Sequence, residues 1–321
     1  MKKLCGIGEA LIDFIPNEKG RRLKDVENFK QVAGGAPANV CGAVAKLGGQ
    51  SVFLTKLGDD AFGDVIVDEL NKSEIDTQYI LRTKEYDTSL AFVSLRLDGN
   101  RDFKFYRRTA ADLQFQPDDI DLAVLEDVGF IHFCSVSLVD SPMKKAHLRL
   151  IEVANEKNIK ICFDPNLRLS LWDDAEELKK TVLEFLPYAH CIKISDEELE
   201  FITGYTNIKD ALPLFFKNKC EYLLYTKGKD GVTLYTKDNR EISVNGLVVD
   251  VVDTTGAGDS FIGSFLYKLL NDDIEQLLSV SNETLHEYLS FANAYAALTT
   301  TKEGALAAMA TKIEFEAFYT K

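Results

Sequence analysis

The sequence predicts an α/β fold in which helices cover a mostly parallel β-sheet. Short apolar runs that end in polar or glycine residues alternate along the chain with longer segments of helical periodicity. This alternation is the order expected of parallel strands and their crossover helices. The chain of 321 residues is 46% hydrophobic, which suffices to bury a large core, and no repeat or low-complexity linker divides it. We therefore expect a single domain over residues 1–321.

The apolar periodicity places the predicted elements along the chain. Strands are expected at residues 3–8, 51–56, 129–134, 160–164, 191–194, 221–226 and 231–236. Helices are expected at residues 36–47, 61–71, 142–156, 174–186, 195–203, 209–216, 259–270 and 283–300. The short apolar runs suit buried strands, and the longer segments suit helices that pack one face on the sheet.

One region interrupts the alternation. Residues 88–97 and 101–107 alternate apolar and polar side chains around Asp98-Gly99-Asn100, which is typical of a β-hairpin with a glycine-containing turn. Residues 14–32 show no helical period, so we expect the two segments, approximately 14–32 and 88–110, to form a small projecting sheet. Such a sheet is a candidate lid, because closing over a site excludes water; an edge extension without a functional role is the alternative.

The balance of charge disfavours several classes of partner. Lys and Arg total 37 against 51 Asp and Glu, for a net charge of −14, and no Lys/Arg-rich run occurs. Nucleic acid and anionic membrane are therefore not expected as partners. Glu9 and Asp13 interrupt the apolar residues near the start, and no stretch approaches the roughly 18 apolar residues of a membrane span. We expect a cytoplasmic protein.

The cysteines are spread through the chain and form no C-x-x-C pair. They are Cys5, Cys41, Cys134, Cys162, Cys191 and Cys220. Because their neighbours are mostly apolar, we expect buried free thiols that behave as small hydrophobic side chains.

The strongest chemical signal lies between Val248 and Leu270. An apolar, β-branched run leads into Gly256-Ala257-Gly258, and an amphipathic helix is expected to open at Asp259. Small residues at such a junction let backbone N–H groups approach an anion, and the amino terminus of a helix favours phosphate. A carboxylate here would repel the phosphate, but it can accept a proton from a neutral nucleophile that attacks the phosphate.

Other interpretations of this segment are weighed against that hypothesis. Spacing alone leaves open that Asp259 caps the helix while the glycines form a tight turn. The segment matches neither the P-loop pattern G-x-x-x-x-G-K-[ST] nor the dinucleotide pattern G-x-G-x-x-G. Those two classes of phosphate site are therefore disfavoured.

Two motifs, Val32-Ala-Gly-Gly-Ala-Pro-Ala-Asn39 and Asp253-Thr-Thr-Gly-Ala-Gly-Asp259, stand near opposite ends of the chain. They resemble the double-glycine element and the carboxyl-terminal signature of the PfkB, or ribokinase-like, family of carbohydrate kinases. Lys46-Leu-Gly-Gly49 and Gly58-Asp-Asp-Ala-Phe-Gly63 extend the resemblance over nearly the whole chain. It implies a Rossmann-like central sheet with a small β lid, with Asp259 as catalytic base and with an anion hole at Gly256, Ala257 and Gly258.

The resemblance also implies which residues contact the sugar. At Gly34 and Gly35 the backbone can approach a sugar without a side chain in the way, and the Asn39 amide can both donate to and accept from hydroxyls. Asp13 follows the first strand, where one carboxylate can accept two hydroxyls; a turn residue at a strand end is the alternative. Phe105 corresponds to a position from which the lid covers the sugar.

Further positions resemble the phosphate and nucleotide sites of the family. Arg168, in Asp164-Pro-Asn-Leu-Arg168, corresponds to an arginine that reaches the substrate or the transferred phosphoryl group; a solvated surface arginine is the alternative. The residues expected to bind ATP are Lys193, Glu198, Thr226, Gly228, Gly231 and Asn293.

Metal ions are expected at two places by resemblance. Glu198 belongs to an N-x-x-E-like element in which Ser195 replaces the usual Asn, and its carboxylate is expected to organise water around Mg²⁺. Asp253 and Thr255 match two ligands of a monovalent-cation site, which leaves a requirement for K⁺ open.

Within the family, three segments look most like those of fructokinases. They are Gly8 to Pro16, Gly34 to Asn39, and Phe105-Tyr-Arg107 with the following Ala111-Asp112. The implied reaction converts ATP and D-fructose to ADP and fructose 6-phosphate. A 2-keto-3-deoxygluconate kinase is the alternative to which Arg107 and Arg108 would supply cations, and ribokinase and aminoimidazole riboside kinase are further alternatives.

Two questions remain beyond the choice of sugar. A catalytically inactive, kinase-like regulatory protein is the alternative from another functional class, although Asp259, Arg168 and Glu198 are all present. The exposed edge of the lid could also pair with its copy in a homodimer.

Overall fold

The structure of the protein is a computed structural model that describes residues 1–18, 20–95 and 101–320. Its strands are β1 (Lys3–Ile7), β2 (Leu11–Pro16), β3 (Phe29–Gly34), β4 (Ser51–Leu54), β5 (Lys56–Gly58), β6 (Leu81–Thr83), β7 (Ser89–Leu95), β8 (Arg101–Tyr106), β9 (Val128–Cys134), β10 (Lys160–Asp164), β11 (Cys191–Ser195), β12 (Tyr222–Thr226), β13 (Val232–Thr236) and β14 (Glu241–Val244). Its α-helices are α1 (Ala36–Lys46), α2 (Ala61–Lys72), α3 (Pro142–Glu156), α4 (Ala175–Phe185), α5 (Asp196–Thr203), α6 (Ile208–Phe216), α7 (Ala257–Asn271), α8 (Asn282–Thr299) and α9 (Lys312–Tyr319).

The main sheet has the strand order β14-β13-β12-β11-β10-β9-β1-β4. The strands from β12 to β4 in this order run parallel, and β13 and β14 extend one edge antiparallel. Parallel strands end at the same edge of a sheet, so Asp164, Ser195 and Thr226 close β10, β11 and β12 side by side. Ligands of open α/β sheets bind at this edge. The predicted mostly parallel sheet is confirmed.

A second, small sheet has the order β3-β2-β7-β8. β2 pairs parallel with β7, and the other two pairs are antiparallel. The strands β7 and β8 confirm the two arms of the predicted hairpin, whereas its turn at Asp98-Gly99-Asn100 lies outside the described residues. The sheet also takes in Leu11 and Gly34, just beyond the predicted segment 14–32. Its role as a lid stays a prediction.

Hydrophobic clusters cover both faces of the main sheet. Helices α1, α7 and α8 pack on one face, and α3, α4 and α5 pack on the other. Gly263 lets α7 approach α1 closely, because a Cβ at this position would stand 2.6 Å from the Cβ of Ala43. All six cysteines are buried and free, as predicted. Among the described residues, no helix has the length and apolarity needed to cross a membrane.

Several elements differ from the sequence prediction, among them the unpredicted short strands β5 and β6. Helix α7 begins at Ala257 rather than Asp259, because Gly256 serves as its N-cap residue in the left-handed conformation. Helix α9 was not predicted, although Thr311 and Glu314 form the reciprocal capping box that marks a helix start. Strand β14 was also missed, since four residues at a sheet edge carry little periodicity.

A buried ion pair joins the small sheet to the main body. Arg107 directly follows β8, and its Nε donates to Asp112 Oδ2 at 2.8 Å. Its Nη1 donates to the Val136 carbonyl at 2.7 Å, and its Nη2 donates to the Ser137 hydroxyl at 3.1 Å. Asp112 also accepts from the hydroxyl of Ser89, the first residue of β7, at 2.5 Å. Strands β7 and β8 are thereby tied to the residues that follow β9.

Asp112→Ala is expected to lower the free energy of unfolding by about 3–5 kcal/mol, because it removes the carboxylate to which the buried Arg107 guanidinium donates directly. Urea-induced unfolding measures this loss. The matched control is Glu152→Ala, which breaks the exposed 2.6 Å pair with Arg149 and should cost less than about 1 kcal/mol. Equal losses in the two variants would contradict the structural role of Asp112.

Candidate active site

One cleft of about 640 Å³ gathers residues from both sheets at the carboxyl edge of the main sheet. The predicted residues that line it are Asp13, Gly34, Gly35, Asn39, Phe105, Arg168, Lys193, Glu198, Thr226, Gly228, Gly231, Thr255, Gly256, Ala257, Gly258, Asp259 and Asn293. Asp253 instead lines an adjoining cavity of about 850 Å³, which shares Ile15 and Thr254 with the cleft. The smaller cavity therefore holds nearly all of the predicted chemistry.

Asp259 lies in the first turn of α7 and does not cap it. The N-cap residue is Gly256, whose φ of 74° favours glycine, and Asp259 follows three residues later. Its Oδ2 accepts a hydrogen bond from Asn39 Nδ2 at 2.8 Å. The capping interpretation of Asp259 is therefore wrong, because the carboxylate points to α1 and the cleft rather than to its own helix start.

Asn39 presents one satisfied and one unsatisfied group. Its Nδ2 is held by Asp259, whereas its buried Oδ1 has no hydrogen-bond partner among the described residues. A buried acceptor without a partner is costly, and a hydroxyl donor in the cleft would remove that cost. The arrangement therefore suits a polyhydroxylated ligand beside Asp259.

The protonation of Asp259 is set by opposing effects. Burial raises the pKa of its carboxyl above the usual range, while the hydrogen bond from Asn39 and the charges of Lys193 and Arg168 lower it. The net pKa is raised. A carboxylate with a raised pKa is a stronger proton acceptor than an exposed aspartate, which suits a general base.

Lys193 supplies a buried cation next to the start of α7. Its Nζ lies 3.0 Å from Asp164 Oδ2, and it lies 3.1 Å from the point where a Cβ at Gly258 would stand. Burial lowers the pKa of Lys193, but the carboxylates of Asp164 and Glu198 outweigh this effect and raise it. Lys193 therefore stays charged where an anion would meet the helix.

The backbone at the start of α7 is only partly available to an anion. The Ala257 N–H already donates to the Thr254 carbonyl at 3.2 Å. The N–H groups of Gly258 and Asp259 lie in the first helical turn, where acceptors within the helix are lacking. These two amides, with the helix dipole and Lys193, make the strongest part of the candidate anion hole.

The small sheet contributes the opposite wall of the cleft. Asp13 lies on the cleft face of β2, with its Oδ2 2.6 Å from the point where a Cβ at Gly34 would stand. The absence of a side chain at Gly34 therefore makes room for this carboxylate as well as for a ligand. Phe105 on β8 and Leu171 of the main body also line the cleft.

Arg168 is an exposed side chain at the mouth of the cleft. Its Nη1 donates to the neighbouring Leu167 carbonyl at 2.9 Å, and its charge lowers the pKa of Asp259. The guanidinium thus acts on Asp259 electrostatically without a hydrogen bond to it. The alternative of a surface arginine unrelated to the site is disfavoured.

The predicted ATP residues Thr226, Gly228, Gly231 and Asn293 also line the cleft. Thr226 ends β12, and Gly228 and Gly231 belong to the connection from β12 to β13. Asn293, on α8, donates from its Nδ2 to the Asn245 carbonyl at 2.8 Å and so ties that helix to the segment before α7.

Glu198 links two cleft segments through its carboxylate. Its Oε1 accepts from the Leu167 N–H and its Oε2 from the Ser195 N–H, each at 2.8 Å. Ser195 and Glu198 form the capping box of α5. Within the described residues, no group of His, Cys, Asp or Glu side chains could hold a metal ion by itself.

Asp253 joins two segments beside the anion hole. Its Oδ1 accepts from the hydroxyl of Thr255 at 2.7 Å, and its Oδ2 accepts from the Gly304 N–H at 3.0 Å. The two side chains provide the oxygen ligands that hard cations prefer.

Three buried polar residues at or beneath the cleft were not predicted as site residues. Asp164 is fully buried beneath the cleft and holds Lys193, whereas Glu9 and Asn166 line the cleft. The available signal was their position, because Glu9 closely follows β1 and the other two residues end or follow β10. Polar residues at the carboxyl ends of parallel strands are natural site candidates.

Known proteins resemble this chain over nearly its whole length. A family model described as pfkB family carbohydrate kinase matches residues 1–312. The chain is 44% identical over 317 residues to a protein named probable fructokinase-2 from Arabidopsis thaliana. The matched region covers 98% of this chain and 95% of that protein.

Solved structures give the same result for the fold. A fructokinase with bound ATP from Xylella fastidiosa has 32% sequence identity and a TM-score of 0.90, covering 99% of this chain and 98% of that chain. A fructokinase from Vibrio cholerae O395 in fructose, ADP and calcium ion bound form has 31% identity and a TM-score of 0.85, covering 99% of each chain. The expected ribokinase-like fold is confirmed, and the chain belongs to the pfkB family of carbohydrate kinases.

Proposed function

We propose that the protein phosphorylates D-fructose with ATP and produces fructose 6-phosphate and ADP. The observation that carries the proposal is the position of Asp259, a buried carboxylate held by Asn39 at the glycine-rich start of α7. The relatives named fructokinases support the choice of reaction and of sugar. One of them holds fructose and ADP, and another holds ATP.

In the proposed reaction, the oxygen of the fructose 6-hydroxyl attacks the γ-phosphorus of ATP. Asp259 accepts the proton of this hydroxyl. The bond between the γ-phosphorus and the bridging oxygen breaks, and ADP leaves with that electron pair. Negative charge spreads over the phosphoryl oxygens in the transition state. The amides of Gly258 and Asp259, Lys193 and Arg168 surround this region with donors and positive charge.

Two cations complete the proposal. Mg²⁺ would neutralise negative charge on the phosphates of ATP, and the Glu198 carboxylate would help to hold the ion through its water ligands. K⁺ would lie near the Asp253 carboxylate and the Thr255 hydroxyl, which adjoin the start of α7. Each side chain would act by holding its ion next to the anion hole.

The choice of a neutral sugar is supported by the state of Arg107. A 2-keto-3-deoxygluconate kinase must bind a carboxylate, and Arg107 and Arg108 were the candidates for that contact. The donors of Arg107 are instead taken by Asp112, Ser137 and the Val136 carbonyl, and Arg108 does not line the cleft. An inactive regulatory role is disfavoured, because Asp259, Arg168 and Glu198 converge on one cleft.

A homodimer through the small sheet is also proposed. The sheet face turned away from the cleft carries the stacked pair Phe14 and Phe92, with ring centroids 4.6 Å apart. Phe29 and Tyr106 pack edge-on against Phe92, and Tyr106 remains 60% exposed. Phe14 already packs edge-on against Phe62 of α2, so a second copy of this face would cover its exposed part, at Tyr106.

Asp259→Asn is expected to lower kcat with fructose roughly 10²- to 10⁴-fold while ATP binding is retained, because an amide cannot accept the hydroxyl proton. A coupled assay of ADP release and calorimetric titration of ATP measure the two effects. The control is Glu283→Gln, which changes an exposed acid in the first turn of α8. Turnover near the wild-type value in Asp259→Asn would rule out the role of general base.

The acceptor is tested with fructose, ribose, 2-keto-3-deoxygluconate and aminoimidazole riboside in the same assay, with and without K⁺. We expect the highest kcat/KM with fructose, because the cleft offers Asp13 and Asn39 to hydroxyls while Arg107 is engaged elsewhere. Higher kcat/KM with the acidic sugar would contradict the proposed substrate. Equal rates with and without K⁺ would contradict the cation site at Asp253 and Thr255.

Tyr106→Lys is expected to halve the molecular mass measured by light scattering, because it places a charge on the proposed dimer face. The matched control, Tyr319→Lys, alters an exposed tyrosine on α9 and should leave the mass unchanged. A wild-type protein with the mass of one chain would exclude the dimer.

A further inference from the structure

Helix α1 begins without a cap from its own N-cap residue. Gly35 occupies that position with φ 127°, and a Cβ there would come 2.3 Å from the carbonyl oxygen of Glu9. No side chain of the usual capping type fits at this point. Pro37 has no N–H to satisfy, but the N–H of Ala36 needs an acceptor from elsewhere in the fold.

Glu9, in the connection between β1 and β2, supplies this acceptor. Its Oε1 accepts from the Ala36 N–H at 3.0 Å, and its Oε2 accepts from the Ser137 hydroxyl at 2.8 Å. The side chain is only 2% exposed. Although Glu9 borders the cleft, the protein engages both carboxylate oxygens. The geometry therefore suits a supporting role better than direct contact with a sugar.

A buried carboxylate is a costly helix cap, and the structure compensates its charge. Burial raises the pKa of Glu9, and the positive charge of Arg107 opposes that shift. Ser137 connects the two groups, because its hydroxyl oxygen also accepts from Arg107 Nη2 at 3.1 Å. Arg107 is fixed in turn by Asp112. A compensated cluster of this kind holds its members in one geometry.

The first turn of α1 leads directly to Asn39, whose amide donates to Asp259. We propose that Glu9 is a positioning residue for phosphoryl transfer, since it holds the start of α1 and thereby keeps the Asn39 amide on the Asp259 carboxylate. The inference rests on the proposed function, in which Asp259 is the general base. A shift of about 1 Å at a reacting group can lower turnover roughly 100-fold, so a remote support can affect the rate.

Two substitutions test this role in the full-length protein. Glu9→Ala removes the acceptor, whereas Glu9→Gln keeps an oxygen for the Ala36 N–H. In Glu9→Ala we expect kcat with fructose to fall about 10- to 100-fold and KM for ATP to change less than about twofold. Glu9→Gln should recover most of the loss. In an Asn39→Ala background, Glu9→Ala should have little further effect, because the contact it supports is already absent.

The matched control is Ser141→Ala, which removes the N-cap of α3. The Ser141 hydroxyl accepts from the Lys144 N–H at 3.3 Å, and α3 contributes no residue to the cleft. This variant should lower the melting temperature and leave kcat unchanged. The proposal is overturned when Glu9→Ala also changes only the melting temperature, or when its effect on kcat adds in full to that of Asn39→Ala.

A readout independent of turnover separates this inference from the proposed function. The side-chain amide NMR resonances of Asn39 report its hydrogen bond to Asp259, and they should shift in Glu9→Ala but not in Ser141→Ala. Unchanged resonances overturn the role of Glu9 even in an active kinase. A wild-type protein that phosphorylates no sugar overturns the proposed function, while shifted resonances would still support the coupling of Glu9 to Asn39.

Discussion

The close packing of α1 against α7 is the constraint on which the site depends. The two helices approach because small residues face each other, with Gly263 of α7 against Ala43 of α1. This contact brings Asn39 within 2.8 Å of Asp259, although the two residues are 220 positions apart in the chain. A larger residue at Gly263 would separate the helices and break the hydrogen bond before it affected any residue that faces a ligand.

The site contains more carboxylates than cationic side chains. Lys193 lies among the carboxylates of Asp164, Glu198 and Asp259, which all raise its pKa, and Arg168 stands at the mouth of the cleft. Such a site would repel a phosphate if its side chains alone set the field. The helix termini and backbone amides supply the remaining positive potential.

The sequence predicts the fold well, because the alternation of apolar runs and helical periods reports which faces are buried. Most of the cleft residues were predicted from the resemblance of the glycine-containing motifs and their companions to the PfkB family, and the cleft gathers them. The helix start at Ala257 was missed because its N-cap is a glycine, which offers no capping side chain to recognise. Glu9 and Arg107 could not be assigned from the sequence, because their partners Ala36 and Ser137 become neighbours only through the tertiary fold.

The burial of Arg107 has a mechanical consequence for the small sheet. The strand β8 is fastened to the main body at its carboxyl end, because the Arg107 side chain donates to Asp112, Ser137 and the Val136 carbonyl. The displacement of a strand that is fixed at one end grows with distance from that end. Phe105 is only two residues from the fixed point, so its ring has little freedom to leave the cleft. A ligand beside Phe105 would therefore meet an almost stationary wall.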